Sequence, residues 1–113
     1  MTECLFCRVV SGEIPADIVL RTDDVVAFRD INPQAPVHVL VVPTSHHRDA
    51  HELAVNDPAL AGRLVEAAGR VAAEQGLDPG YRIVFNTGAA AGQTVFHVHA
   101  HVLGGRDLLW PPG

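Results

Sequence analysis

Between residues 96 and 103 the chain reads Phe96-His97-Val98-His99-Ala100-His101-Val102-Leu103, a strict alternation of histidine with apolar side chains. Successive side chains of a strand point to opposite faces, so the pattern predicts a strand over residues 96–103. Phe96, Val98, Ala100 and Val102 would form its core face, while His97, His99 and His101 share the other. Residues two apart along a strand lie about 6.5 Å apart, so three such imidazoles can reach one ligand of phosphate size. One strand histidine is ordinarily a packing residue, but burying three unpartnered imidazoles would cost on the order of several kcal/mol. Catalysis is the favoured reading. A metal site, for which His-x-His is also a suitable spacing, and a chance pattern are the alternatives.

The rest of the chain gives that strand its setting. A short helix or turn over residues 4–11 is closed by Gly12 and Pro15. Two β-branched runs at 18–20 and 25–28, split by Arg21-Thr22-Asp23-Asp24, read as a hairpin. Two prolines in Asn32-Pro33-Gln34-Ala35-Pro36 make a loop, and residues 37–42 a third strand. Asp57 and Pro58 are cap and first residue of the one long helix, whose apolar stripe is Leu60, Leu64, Ala68, Val71 and Ala72. Gly76 ends it in the left-handed conformation. Residues 81–85 are a fourth strand. Five strands and one long helix, mostly outside β-α-β spacing, predict an α+β domain with an antiparallel sheet and a short N-terminal helix. One helix cannot cover both faces of such a sheet, so a homodimer is expected from packing alone.

With 113 residues, 48% of them apolar, a single domain spanning 1–113 is expected. All eight basic residues are arginine, against 13 acidic residues and seven histidines. Lacking lysine, the chain has no Schiff-base chemistry, no P-loop lysine and no polybasic tract for nucleic acid or a membrane. The cysteines stand as Cys4-Leu5-Phe6-Cys7, too few for a disulfide scaffold. No signal-peptide pattern precedes them, and the expected setting is reducing and cytoplasmic. C-x-x-C reads as zinc, redox or packing; redox is the weakest, because the motif does not open a helix after a strand.

Ahead of the histidines, Asn86-Thr87-Gly88-Ala89-Ala90-Ala91-Gly92-Gln93-Thr94 combines glycines, which admit close backbone approach, with amide and hydroxyl donors. Beside three histidines it suggests an anion-holding loop.

His97-Val98-His99-Ala100-His101-Val102-Leu103 resembles the His-φ-His-φ-His-φ-φ signature (φ apolar) of the histidine triad (HIT) family. Residues 28–38, Gly80-Tyr81-Arg82, Gly92-Gln93-Thr94, Gly104-Gly105-Arg106 and the terminal Trp110-Pro111-Pro112-Gly113 look like its HINT branch, the histidine triad nucleotide-binding proteins. The resemblance implies a HIT-like fold whose sheet continues across a homodimer. It also implies hydrolysis of purine nucleoside phosphoramidates such as adenosine 5′-monophosphoramidate, releasing AMP or GMP, with no cofactor needed for the chemistry. His99 would be the nucleophile that forms a nucleotidyl-histidine, a sensible role for an imidazole that is neutral near physiological pH. His101 would contact the phosphate, with His97 and His38 in support. Asp30 would accept the ribose hydroxyls, Ile31 and Phe28 flank the base, and Asn86, Gly92 and Gln93 face the phosphate. Thr94 would be the hydroxyl on the leaving-group side, with the Trp110 tail shaping that pocket. Some members of the family hold a structural zinc, and the matching ligands here are Cys4, Cys7, His46 and His97; His47 and His51 are then surface residues. A nucleotide-binding scaffold with weak hydrolysis, or a dinucleoside polyphosphate hydrolase or nucleotidyltransferase on the same fold, are the alternatives.

Overall fold

In the computed structural model, which describes residues 4–113, one antiparallel sheet runs in the order β1-β2-β3-β5-β4. Its strands are β1 (Ile18–Arg21), β2 (Val25–Arg29), β3 (Val37–Pro43), β4 (Tyr81–Val84) and β5 (Ala100–Gly104), with helices α1 (Leu5–Val10), α2 (Ala50–Asn56) and α3 (Pro58–Glu74). This is the α+β architecture with a five-stranded antiparallel sheet expected from the sequence. Among the described residues, no helix is long and apolar enough to cross a membrane.

Alternation sorts the sheet into two faces. Val25, Ala27, Val39, Val41, Ala100 and Val102 point toward α2 and α3, where they meet Leu53, Leu60, Leu64, Ala68, Val71 and Ala72 in the larger core. Full burial of one leucine there contributes roughly 1.5–3 kcal/mol. Val26, Phe28, Leu40 and Val42 point the opposite way, against Phe6 and Val9 of α1. On that second face β3 and β5 also carry His38 and His101, because Leu40 lies opposite His101 and His38 opposite Leu103.

The ends of α3 follow their local chemistry. The Asp57 carboxylate accepts from the Leu60 N–H at 3.1 Å, and Pro58 sits in the first turn, where no intrahelical donor is needed. At the other end Gly76 adopts φ +75°, which lets its own N–H and that of Leu77 reach the carbonyls of Ala73 and Ala72.

Two elements differ from the sequence reading. Residues 50–56 form α2, where no helix was expected because Leu53 is its one buried residue and leaves no periodic stripe. Its signal lay in Asp49-Ala50-His51-Glu52. The Asp49 carboxylate accepts from the Glu52 N–H at 2.9 Å, while Glu52 accepts from the Arg48 N–H at 2.6 Å. The histidine strand is also shorter than its alternation, beginning at Ala100 rather than Phe96. Residues 95–97 bend instead, so Phe96 leaves the core face and is 45% exposed. At the far end of β5, Gly105 (φ +92°) turns where an added Cβ would lie 2.8 Å from that of Pro36.

Candidate active site

The bend at 95–97 divides the three alternating histidines between two jobs. His97 is fully buried, and its ring turns away from the cavity that His99 and His101 line. One ring nitrogen, Nε2, lies 2.9 Å from the Pro43 carbonyl oxygen. A carbonyl only accepts, so that nitrogen carries the proton and Nδ1 keeps a lone pair. Nδ1 lies 3.4 Å from both Cys4 Sγ and Cys7 Sγ, and Cys7 Sγ lies 3.4 Å from His46 Nδ1. The donor atoms of Cys4, Cys7, His46 and His97 all fall within 4.8 Å of one another. Tetrahedral zinc with Zn–S of about 2.3 Å and Zn–N of about 2.0–2.1 Å requires S···N edges of about 3.5 Å. Two thiols and two imidazoles, one with its tautomer already set by a backbone partner, fit a structural zinc centre. All four ligands expected for the metal are thus brought together.

Asp30, His38 and His101 also lie within 4.8 Å of one another through their donor atoms, but their protons point to a relay rather than a metal. The Gln34 N–H donates to His38 Nδ1 at 3.0 Å, so the His38 proton is on Nε2. That nitrogen lies 2.9 Å from His101 Nδ1 and 3.4 Å from Asp30 Oδ2. His38 therefore donates to His101, whose own proton is left on Nε2. Nε2 of His101 is buried and has no hydrogen-bond partner among the described residues. It is a donor without an acceptor on the wall of a cavity.

His99 has the complementary state. Its Nδ1 lies 2.8 Å from the His97 carbonyl oxygen, which again can only accept. The proton is on Nδ1 and the lone pair on Nε2. Burial holds the His99 pKa below its ordinary value, opposed by the His97 carbonyl and by Asp30. Burial likewise lowers His38, against the Asp30 charge, and lowers His101 to about 4 with further repulsion from His99 and His38. The imidazoles at the cavity are therefore neutral near pH 7. One ring offers a lone pair and its neighbour, 4.9 Å away between centroids, offers a proton.

The cavity itself measures about 300 Å³. It is lined by apolar Leu5, Phe6, Val9, Ile14, Phe28 and Leu40 together with Asp30, Thr94, His99 and His101. Of the residues expected at a nucleotide, Phe28 is buried against Phe6, while Ile31 stands fully exposed at the rim. Asp30 keeps both of its expected roles open: Oδ1 accepts from the Asn32 N–H at 2.8 Å to make a turn, and the residue still lines the cavity. Asn86 and Gly92 adjoin one another and do not line the cavity.

Gln93 departs from expectation. Its side chain was expected to face phosphate, but it is 3% exposed and committed to the protein. Nε2 donates to the carbonyls of Arg48 and Val95 at 2.8 and 3.1 Å, and Oε1 accepts from the Gly88 N–H at 2.9 Å. Gln93 is the brace of the glycine loop. Trp110 is 84% exposed and does not line this chain's cavity. His51 is exposed as expected, whereas His47 is half-buried, with Ser45 Oγ 3.0 Å from its Nε2. Sequence reasoning passed over Phe6, whose ring meets His99 edge-on at 4.9 Å. Its position between the two cysteines was the available sign.

The HIT domain family model matches residues 11–108. An uncharacterized HIT-like protein of Synechococcus elongatus is 50% identical over 111 residues, covering 98% of this chain and 97% of that protein. A 14 kDa zinc-binding protein of Brassica juncea is 43% identical over 118 residues, covering 98% and 100%. The crystal structure of a HIT family hydrolase from Legionella pneumophila superposes with a TM-score of 0.94 at 44% identity, covering 98% of this chain and all of that one.

Proposed function

This chain belongs to the HIT domain family, and from that premise we propose that it hydrolyses the P–N bond of purine nucleoside phosphoramidates through a nucleotidyl-histidine on His99. The observation that carries the reading is the paired protonation of the two rings at the cavity. With its proton held by the His97 carbonyl, His99 presents a lone pair at Nε2; with its Nδ1 occupied by His38, His101 presents a proton.

In this mechanism Nε2 of His99 attacks the α-phosphorus as the P–N bond breaks. The amine nitrogen, protonated from solvent, leaves as the neutral amine, while His101 Nε2–H donates to a phosphoryl oxygen and stabilises its growing charge. His38 Nε2–H, donating to His101 Nδ1, holds the His101 proton on Nε2. Water then attacks the nucleotidyl-histidine, gives up its proton to the released amine, and frees the nucleoside monophosphate and neutral His99. Asp30 accepts from the ribose hydroxyls, the apolar walls take the base, and Thr94 serves the leaving-group side. Asn86 and Gly92 shape the phosphate loop, and zinc at Cys4, Cys7, His46 and His97 is structural. The kinship with a zinc-binding relative supports that last assignment.

The same reading makes the protein a homodimer joined at β4. At one sheet edge, β1 carries an irregularity between Ile18 and Leu20, a device that discourages pairing, while the β4 edge is regular.

The deciding experiment incubates the protein with adenosine 5′-monophosphoramidate. AMP release and an AMP adduct mapped to His99 by mass spectrometry are expected. No turnover by the native protein, or undiminished turnover in His99→Ala, would overturn the proposal.

A further inference from the structure

We infer that the zinc cluster holds the nucleophile in place, with His97 as the positioning residue that transmits its seating to His99. The inference rests on the catalytic reading of His99 given above, and it deepens that reading by making metal occupancy a control on the site.

The need for such an anchor comes from the shortness of β5. The ladder begins at Ala100, so His97, Val98 and His99 lie ahead of it. Beyond the packing of Val98 in the larger core and the ring contact of His99 with His101, three contacts hold them that lead back to the metal ligands. The ring of His97 is pinned at both nitrogens, by the Pro43 carbonyl and by the cysteine cluster, and its carbonyl oxygen fixes the His99 proton on Nδ1. The Val98 N–H donates at 2.7 Å to the carbonyl of His47, the neighbour of the ligand His46. The peptide between His97 and Val98 is thus gripped from both sides of the cluster.

The third contact comes from α1. This helix has six residues, starts from Cys4 as its cap and carries Cys7 within its first turn. A helix so short is not stable on its own. It places Phe6 edge-on against His99, with the ring planes at 86°, and Leu5, Phe6 and Val9 form one cavity wall. Zinc bound by both thiolates would clip this helix to the sheet. Removing the metal frees one nitrogen of His97 and both tethers of α1, and His99 can then exchange between its two tautomers.

The test compares zinc-loaded native protein, chelator-stripped native protein and two variants of the exposed ligand His46, which does not line the cavity. Long-range ¹H–¹⁵N spectra read the His99 tautomer directly, and thermal unfolding monitors α3. Zinc-loaded protein is expected to show a single Nδ1–H form. Stripped protein and His46→Ala should show a mixture, with kcat on adenosine 5′-monophosphoramidate lower on the order of 10- to 100-fold. His46→Cys, which keeps four ligands, should retain both properties. A folded, metal-free protein with the single Nδ1–H tautomer and full turnover would overturn the inference. The spectrum needs no substrate: if the tautomer follows the metal in a protein inactive on phosphoramidates, the coupling stands and the proposed reaction falls.

Discussion

His38 Nε2–H donates a hydrogen bond to His101 Nδ1. The Gln34 N–H occupies His38 Nδ1, so the 2.9 Å contact between His38 Nε2 and His101 Nδ1 can be donated only from the His38 side. A backbone amide four residues away thereby decides which nitrogen of His101 carries hydrogen into the cavity. We predict that His38→Ala leaves His101 free to exchange tautomers and lowers kcat by up to about 100-fold, the cost of misplacing a group at the reacting centre. AMP affinity should change less, because His38 does not line the cavity. Steady-state kinetics with ¹⁵N spectra of His101 check this; an unchanged His101 tautomer would contradict it.

Asp30 tests ribose recognition. Its Oδ2 faces the histidine pair while Oδ1 holds the turn to Asn32, and both oxygens retain further lone pairs. Hydrogen bonds to a charged group contribute about 1.5–3 kcal/mol, which predicts a ten- to hundredfold preference for ribo- over 2′-deoxyribonucleoside phosphoramidates in kcat/KM. Asp30→Asn should narrow that preference to a few-fold. Equal kcat/KM for the two sugars in the native protein would remove Asp30 from ribose recognition.

Period and punctuation made much of this legible in the sequence. The alternation at 97–101 pointed to the candidate site, and Asp57, Pro58 and Gly76 bracketed α3 because caps and stripe agreed. The cysteine spacing with His46 and His97 gave the metal cluster through the family resemblance. What escaped depended on tertiary contact. Alternation cannot show where a ladder loses its partner, so it carried the strand past Ala100 to Phe96. Residue type gave Gln93 an amide suited to phosphate, but only the fold supplies the two carbonyls and the N–H that consume it. Phe6 is an ordinary apolar residue until α1 brings it onto His99.

Neutral buried histidines make stability depend on pH. His101 is held down to about 4 by burial and by its neighbours His99 and His38, and His38 is lowered by burial, with Asp30 opposing in both cases. In the unfolded chain each takes up its proton near pH 6.5. Below that value the unfolded state binds more protons than the folded one, so stability rises with pH there. We predict a thermal midpoint that falls as pH drops from about 6.5 toward 4, and a flatter profile in His101→Asn. A native profile that is flat across this window would contradict the assignment of neutral rings.

Gln93 separates a brace from a ligand contact. Gln93→Ala removes two donors and one acceptor from a site that is 3% exposed, leaving the carbonyls of Arg48 and Val95 and the Gly88 N–H unpaired. The loss expected is on the order of 1–3 kcal/mol. Gln93→Glu is the sharper test. It preserves an acceptor for Gly88 but turns a carboxylate oxygen toward two carbonyl oxygens, so it should destabilise more than alanine despite its matching shape. A residue whose amide touched phosphate from solvent would behave differently: glutamate would repel the nucleotide and weaken AMP binding while leaving the fold intact. Urea unfolding of both variants, measured beside AMP titration, distinguishes the two. Stability in the order native, then Ala, then Glu marks the brace; native stability in Gln93→Glu with AMP binding lost would return Gln93 to the phosphate.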